Sequence, residues 1–146
     1  MLAYLAGPLD GLDYDGRAWY DEVAHLSPPG WVLFKPGNAY AFPGSDPVAL
    51  DKANRAVISE AMAVMIAYLD GPGRGFGTIR EIEFAKHIGR PVVVIASKLP
   101  SLLTYDLDVV SSVDEVWPHI TEAIDRMVQA QRDNPIFRLL GGEDPS

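Results

Sequence analysis

The chain is predicted to adopt an α/β fold in which helices cover both faces of a parallel sheet. Along most of its 146 residues, apolar segments of strand length alternate with segments of helical periodicity. This alternation is typical of parallel sheets. The length and a hydrophobic content of 48 % suit a single domain with a full core. We assign the domain to residues 1–138 and expect the tail, residues 139–146, to be disordered.

The predicted elements follow one another in regular order. The strands are short and apolar, and they run from Leu2 to Ala6, Trp31 to Phe34, Ala63 to Leu69, Pro91 to Ala96 and Leu107 to Val110. The helices carry apolar residues three and four positions apart, and they run from Arg17 to Leu26, Pro47 to Ala61, Gly77 to Ile88 and Ser112 to Arg132. These elements are predicted to form a flavodoxin- or Rossmann-like three-layer sandwich with a parallel five-stranded sheet.

Three loops follow the first three strands and are expected to form one cleft. They run from Gly7 to Arg17, from Lys35 to Asp46 and from Asp70 to Gly77. In open α/β sheets, ligands bind at the carboxyl ends of the strands. A binding site is therefore predicted where these loops meet.

Glu81 lies where the pattern of its own helix calls for an apolar side chain. A period of 3.6 residues gives this helix an apolar face made of Ile82, Phe84, Ala85 and Ile88. Glu81 falls within that face, just after the glycine-rich segment 71–77, where free N–H groups and the helix dipole favour an anion. The sequence therefore points a carboxylate inward at the mouth of the loop. A buried Glu that only accepts hydrogen bonds is the structural alternative.

Two short motifs surround this carboxylate and the first strand. Residues 77–85 read G-T-I-R-E-I-E-F-A, and residues 4–8 read Y-L-A-G-P. They resemble motifs of the nucleoside 2-deoxyribosyltransferase family, which includes nucleoside 5′-monophosphate N-glycosidases, and the resemblance covers roughly residues 1–96. It implies that Glu81 is the nucleophile that attacks C1′ of a nucleoside or nucleotide, and that Tyr4 hydrogen-bonds and orients it. Both hydrolysis and base exchange are compatible with such a site.

The chain departs from the family pattern at three positions, and Glu83, which replaces a small residue two positions after the nucleophile, has no evident chemical meaning. Family members usually carry an acid about two dozen residues before the nucleophile, where this chain has Asn54, with Asp51 one turn earlier. Because an amide does not transfer a proton, Asp51, Asp70 and Asp10 are the candidates for protonating the leaving base, with water held by Asn54 as a further route. Gly75 stands where several transferases have an Asp that nucleotide-hydrolysing relatives lack.

Further substrate contacts are expected from residues at the cleft, namely Gly7, Pro8, Asp10, Arg17, Tyr40, Arg74, Gly75 and Gly77. A 5′-phosphate is predicted to bind backbone amides near Gly7 and Gly75 together with Arg17 or Arg74. The structural alternative is that Arg17 and Arg74 are ordinary surface residues that bind no phosphate. Tyr40 is a candidate for stacking on a base, whereas Trp31 and Phe34 suit the core better.

Composition narrows the classes of partner. The net charge of −8 and the pI near 4.7 argue against binding to a nucleic-acid backbone and favour a small-molecule nucleoside or nucleotide. The absence of Cys excludes disulfides and thiolate chemistry, and the His residues have no metal-ligand spacing. We expect no metal, no cofactor, no membrane association, a cytoplasmic location, and a homodimer or higher homo-oligomer.

Two other functional classes compete with an enzyme. A non-catalytic, Rossmann-like module that binds a nucleotide is favoured by Asn54 and Gly75, since each replaces an acid. An oligomerising structural domain is the other alternative, because the last helix carries an apolar stripe made of Val113, Val116, Ile120, Ile124 and Met127. We expect this stripe to belong to the core.

Overall fold

The computed structural model describes residues 1–7, 18–36, 46–70, 76–98 and 107–133. Its strands are β1 (Leu2–Ala6), β2 (Val32–Phe34), β3 (Val64–Tyr68), β4 (Val92–Ile95) and β5 (Asp108–Val110). Its α-helices are α1 (Ala18–His25), α2 (Pro47–Glu60), α3 (Phe76–His87) and α4 (Val116–Asp133), and a 3-10 turn, Val113–Glu115, leads into α4.

All five strands are parallel and lie in the order β2-β1-β3-β4-β5. This order is that of flavodoxin-like sheets, in which ligands bind at the point where the strand order reverses. The predicted α/β class and the five-stranded parallel sheet are therefore confirmed. In the ranges that the structure describes, no helix is long and apolar enough to span a membrane.

Side chains of β1 alternate between the two faces of the sheet, because successive residues of a strand point in opposite directions. Ala3 and Leu5 face α1 and α4, whereas Tyr4 and Ala6 face α2 and α3. The register pairs Tyr4 with Phe34 of β2. β1 thus contributes to two separate cores, which we call the α1/α4 side and the α2/α3 side.

The α1/α4 side is built largely of aromatic and branched side chains. Trp19, Val23, Val116, Trp117 and Ile120 are all buried there against the sheet. The indole of Trp117 also donates a hydrogen bond of 2.9 Å to the carbonyl oxygen of Val23. This buried bond joins α1 to α4.

The apolar stripe of α4 is core only over its first half. Val113, Val116 and Ile120 are buried and Ile124 packs against them, as predicted. Met127, in contrast, is 47 % exposed, and so are the residues that follow it wherever their burial is described. An 18-residue helix is about 27 Å long, far longer than three- to five-residue strands, so its last turns extend past the sheet.

The α2/α3 side buries Ile58 and Met62 at the end of α2, together with Ile82 and Ala85 of α3. Ile88 was expected on the apolar face of α3, but it is 36 % exposed. The helix ends at His87, and Gly89 adopts a positive φ of 76° that closes its last turn. Ile88 therefore lies in the turn that ends the helix and not on its buried face.

Candidate active site

Glu81 lies in the second turn of α3, which begins at the carboxyl edge of the sheet. Tyr4 lies on β1, an interior strand of the sheet, is fully buried, and stacks on Phe34 with 5.4 Å between ring centroids. Its hydroxyl donates a hydrogen bond of 2.7 Å to Oε1 of Glu81. The structure thus brings together the two residues that the sequence motifs singled out.

Asn54 provides the second hydrogen bond to this carboxylate. It lies on α2, is 3 % exposed, and its Nδ2 donates to Oε1 of Glu81 over 3.2 Å. Both donors therefore meet the same oxygen. In the part of the chain that the structure describes, no group donates a hydrogen bond to Oε2 of Glu81. Among the described residues, hydrogen bonds therefore hold only one of the two carboxylate oxygens.

The environment of Glu81 changes its acidity. Burial raises its pKa from 4.5 to about 7, because removing the carboxylate from water disfavours the charged form. The hydrogen bonds from Tyr4 and Asn54 oppose this rise, and the nearby charge of Arg55 does so as well, whereas the charge of Asp51 adds to it. Near neutral pH, the site consequently holds both the ionised and the protonated carboxyl group.

A charged cluster beside the site links α2 to α3. Asp51 accepts a hydrogen bond of 3.0 Å from Nε of Arg55 on the same helix and lies 3.8 Å from a guanidinium nitrogen of Arg80 on α3. The guanidinium of Arg55 lies over the ring of Phe84, 4.6 Å from its centroid. These contacts fix α2 against α3 and so help to place Asn54 opposite Glu81.

Asp70 follows β3 at the same edge of the sheet, but its contacts are with the chain after β4. Its carboxylate oxygens accept hydrogen bonds from the backbone N–H of Ser97 at 2.7 and 2.8 Å and from the Ser97 hydroxyl at 3.0 Å. Asp70 and Glu81 share no hydrogen-bonding partner among the described residues. The contacts make Asp70 a clamp between two strand ends, and its role as a proton donor stays a prediction.

The two predicted site glycines that lie within the described ranges, Gly7 and Gly77, differ in their surroundings. A Cβ atom on Gly7 would lie 2.7 Å from Cζ2 of Trp19, so the absence of a side chain is required by packing. Trp19 is itself stacked between Tyr20 and Tyr68, with ring centroids 4.2 and 5.0 Å away. Gly77, by contrast, is exposed in the first turn of α3, and a Cβ there would meet nothing within 4 Å. Among the described residues, nothing therefore packs against Gly77 at the start of the helix.

Six of the predicted site residues lie outside the described residues: Pro8, Asp10, Arg17, Tyr40, Arg74 and Gly75. Their roles in binding a base or a phosphate therefore stay predictions. In the ranges that are described, no group of three or more acidic or His side chains is placed to hold a metal ion.

Sequence reasoning missed Thr78, which precedes Glu81 by three residues on α3. Thr78 is only 3 % exposed, and its hydroxyl has no solvent contact and no hydrogen-bonding partner among the described residues. Leaving such a group unsatisfied typically costs about 1–3 kcal/mol. The spacing to Glu81 was visible in the sequence, but the burial of the hydroxyl follows only from the packing of α3.

Comparison of the chain with models of known protein families and with curated proteins found no match. The geometry around Glu81, its raised pKa and the motif resemblance are therefore the features that bear on function. The described part of the site has three polar groups on the α2/α3 side, contributed by Tyr4, Asn54 and Glu81. Such an arrangement suits a carboxylate that must be held in one orientation while one oxygen reacts.

Proposed function

We propose that the protein cleaves the N-glycosidic bond of a nucleoside or nucleoside 5′-monophosphate, with Glu81 as the nucleophile. The observation that carries this proposal is the pair of hydrogen bonds to Oε1, which orients the carboxylate while Oε2 accepts none from the described residues. The resemblance to the nucleoside 2-deoxyribosyltransferase family supports the same role for Glu81 and Tyr4.

The reaction would proceed in two displacements at C1′. First, Oε2 of ionised Glu81 forms a bond to C1′ while the C1′–N bond breaks, and the electron pair of that bond passes to the base, which takes up a proton. Then the oxygen of water bonds to C1′, the bond to Oε2 breaks, and the water releases a proton. If a second base replaces water, the same intermediate gives base exchange.

Burial of Glu81 serves this chemistry in a specific way. The transition state at C1′ carries positive charge, and a carboxylate removed from water stabilises that charge more strongly than a hydrated one does. The cost is a raised pKa, so that about half of the molecules hold the reactive, ionised form near pH 7. The hydrogen bonds from Tyr4 and Asn54 limit that cost, because both favour the ionised form.

Asn54 has a positioning role in this proposal. Its amide donates to Glu81 at any pH, and it does not supply the proton that the departing base needs. That proton would come from water or from one of the acids named above. The charge of Asp51 acts on Glu81 and raises its pKa, but the Asp51 carboxylate is paired with Arg55.

The test is a search for free base. The protein is incubated with a panel of nucleosides and 5′-monophosphates, with and without a second base, and the products are separated by chromatography. Wild type should release base, and Glu81→Gln should lower turnover by at least about a thousandfold, since the nucleophile is gone. The matched control is Glu83→Gln, an exposed carboxylate on the same helix, which should retain activity.

Two outcomes would contradict the proposal. Near-normal turnover by the Glu81→Gln variant would exclude Glu81 as the nucleophile, and a wild-type protein that releases no base from any compound would exclude the reaction. The second outcome, combined with nucleotide binding measured by calorimetry, would favour the non-catalytic binding module. Asn54 is the observation that favours a non-catalytic binding module, because its amide stands where an acid that donates a proton is expected.

A further inference from the structure

An amide lies beside Glu81 at the position where a proton donor is expected. Asn54 is 3 % exposed, and its Nδ2 donates to Oε1 of Glu81 over 3.2 Å. An amide N–H donates a hydrogen bond but gives up no proton. Asn54 stands outside the two motifs that resemble the deoxyribosyltransferase family. Its chemistry can therefore differ from that of the family's members.

Two of the three acids that are candidates for the proton are engaged in other contacts. The Asp51 carboxylate accepts a hydrogen bond of 3.0 Å from Arg55. Asp70 uses both carboxylate oxygens to accept hydrogen bonds from Ser97. Protonating either acid would weaken these contacts, because a neutral carboxyl group is a weaker acceptor than a charged one. Asp10, the third candidate, lies outside the described residues.

A substrate whose base already carries a positive charge needs no proton donor. In a pyridinium nucleoside, the charged ring nitrogen is bonded to C1′. When Oε2 of Glu81 bonds to C1′, the electron pair of the C1′–N bond passes to that nitrogen and cancels its charge, so the base departs neutral. An uncharged base needs a proton in the same step, and a general acid typically accelerates such a transfer by about a hundredfold or more.

The surroundings of Glu81 suit a positive charge at C1′. Burial raises its pKa to about 7, because the carboxylate has lost solvation that a nearby cation would replace. On α2, Arg55 and Asp51 act on Glu81 in opposite directions. On α3, Arg80 lies 3.8 Å from Asp51, and the ionisable neighbour from β1 is Tyr4. The chain as a whole carries a net charge of −8, which attracts cations.

We infer that the preferred substrate is an N-glycoside of a positively charged heterocycle, such as a pyridinium nucleoside or nucleotide, and that Glu81 displaces its base without a general acid. This inference rests on the proposed cleavage at C1′ and names the class of base. The carboxylate and the cation are both neutralised in the step, and a site with little water favours such a change. Asn54 then holds Glu81 without adding a second ionisable group.

The experiment compares a pyridinium nucleoside with an uncharged one. The kcat/KM for base release is measured across pH for nicotinamide riboside, for inosine and for the 5′-monophosphate of each. The pyridinium compounds should be preferred by about a hundredfold or more, the factor that a general acid would otherwise contribute. Their kcat/KM should rise as Glu81 ionises near pH 7 and stay level above that pH, since no second group has to be protonated.

Variants of the amide and of the remaining acid separate the chemistry from positioning. Asn54→Asp introduces a carboxyl group and should raise kcat/KM for inosine by about tenfold or more, which reduces the preference for the pyridinium compound. Asn54→Ala removes only a hydrogen bond and should lower kcat/KM for both compounds alike. Asp10→Asn should leave the preference unchanged.

Calorimetry adds a readout that does not depend on turnover. Nicotinamide methylated on its ring nitrogen carries the pyridinium charge, and nicotinamide is its uncharged counterpart. At about pH 8, wild type should bind the cation about tenfold or more tightly than nicotinamide. The difference should disappear at about pH 5, where Glu81 is protonated, and in Glu81→Gln.

Three results would overturn the inference while leaving the proposed function in place. The first is cleavage of inosine that equals or exceeds that of nicotinamide riboside. The second is a loss confined to inosine in Asp10→Asn, which would identify Asp10 as a general acid. The third is equal binding of the cation and of nicotinamide at about pH 8. If wild type releases no base from any compound, the proposed function fails, and this inference fails with it.

Discussion

Replacing Glu81 by Gln should make the protein more stable at neutral pH even though it removes the proposed nucleophile. Burial raises the pKa of Glu81 from 4.5 to about 7, and each pKa unit corresponds to about 1.4 kcal/mol. The ionised carboxylate therefore lowers the free energy of unfolding by about 3 kcal/mol above pH 7. Gln has nearly the same shape, carries no charge, and offers an oxygen that Tyr4 and Asn54 can still donate to.

The stability that Glu81→Gln gains over wild type should increase as the pH rises. The folded state binds the Glu81 proton more tightly than the unfolded state does, so the contribution of this group to stability is greatest below pH 4.5. It falls as the pH rises through about 7 and is constant above that value. The difference in unfolding free energy between Glu81→Gln and wild type should therefore grow from near zero to about 3 kcal/mol across this range.

The measurement is denaturant unfolding followed by circular dichroism at several pH values spanning this range. The difference between variant and wild type cancels the titration of all other groups that the substitution leaves unchanged. Glu83→Gln, an exposed position on the same helix, is the control and should change stability by less than about 0.5 kcal/mol. A Glu81→Gln difference that stays constant with pH would refute the argument that burial raises the pKa.

Two further predictions concern single contacts. Because the hydrogen bond from Tyr4 lowers the pKa of Glu81, Tyr4→Phe should move the rising limb of the pH–activity profile to higher pH and slow turnover roughly ten- to hundredfold near neutrality; an unchanged profile would reduce Tyr4 to a packing residue. Gly7→Ala should cost about 1–3 kcal/mol in chemical denaturation, since its Cβ would meet Trp19 at 2.7 Å. Gly77→Ala, which meets nothing within 4 Å, should cost nothing, and equal losses at both glycines would contradict this explanation.

The fold was accessible from the sequence because each strand and helix carries its own periodic signal. The segment Val92–Ile95 is buried throughout, as a central strand of a parallel sheet requires. The contact between Tyr4 and Glu81 was also predictable, since β1 and the start of α3 meet at the carboxyl edge. Most boundaries shifted by one residue, as at Val32, where the strand begins one residue later than expected. The last helix is the exception, because a 3-10 turn precedes it and α4 begins at Val116 instead of Ser112.

The parts that escaped prediction depend on contacts between distant segments. The clamp between Asp70 and Ser97 joins residues 27 positions apart, and the periodicity of neither segment encodes it. Gly7 was assigned to substrate binding, but the structure shows a packing reason for it that only the position of Trp19 could reveal. The buried hydroxyl of Thr78 also escaped prediction. Helical spacing predicts the face of α3 on which Thr78 lies, but it does not predict whether the hydroxyl has a hydrogen-bonding partner.

The division of the core into two sides has a spectroscopic consequence. The chain has three Trp residues, and Trp19, Trp31 and Trp117 all lie on the α1/α4 side. Intrinsic emission therefore reports on the layer opposite Glu81. Loosening confined to α2 and α3 would leave that emission nearly unchanged while amide hydrogen exchange in these helices accelerated. A fluorescent probe of the α2/α3 side therefore has to be introduced by substitution. Phe84, a half-buried aromatic residue of α3, is a suitable position for a Trp.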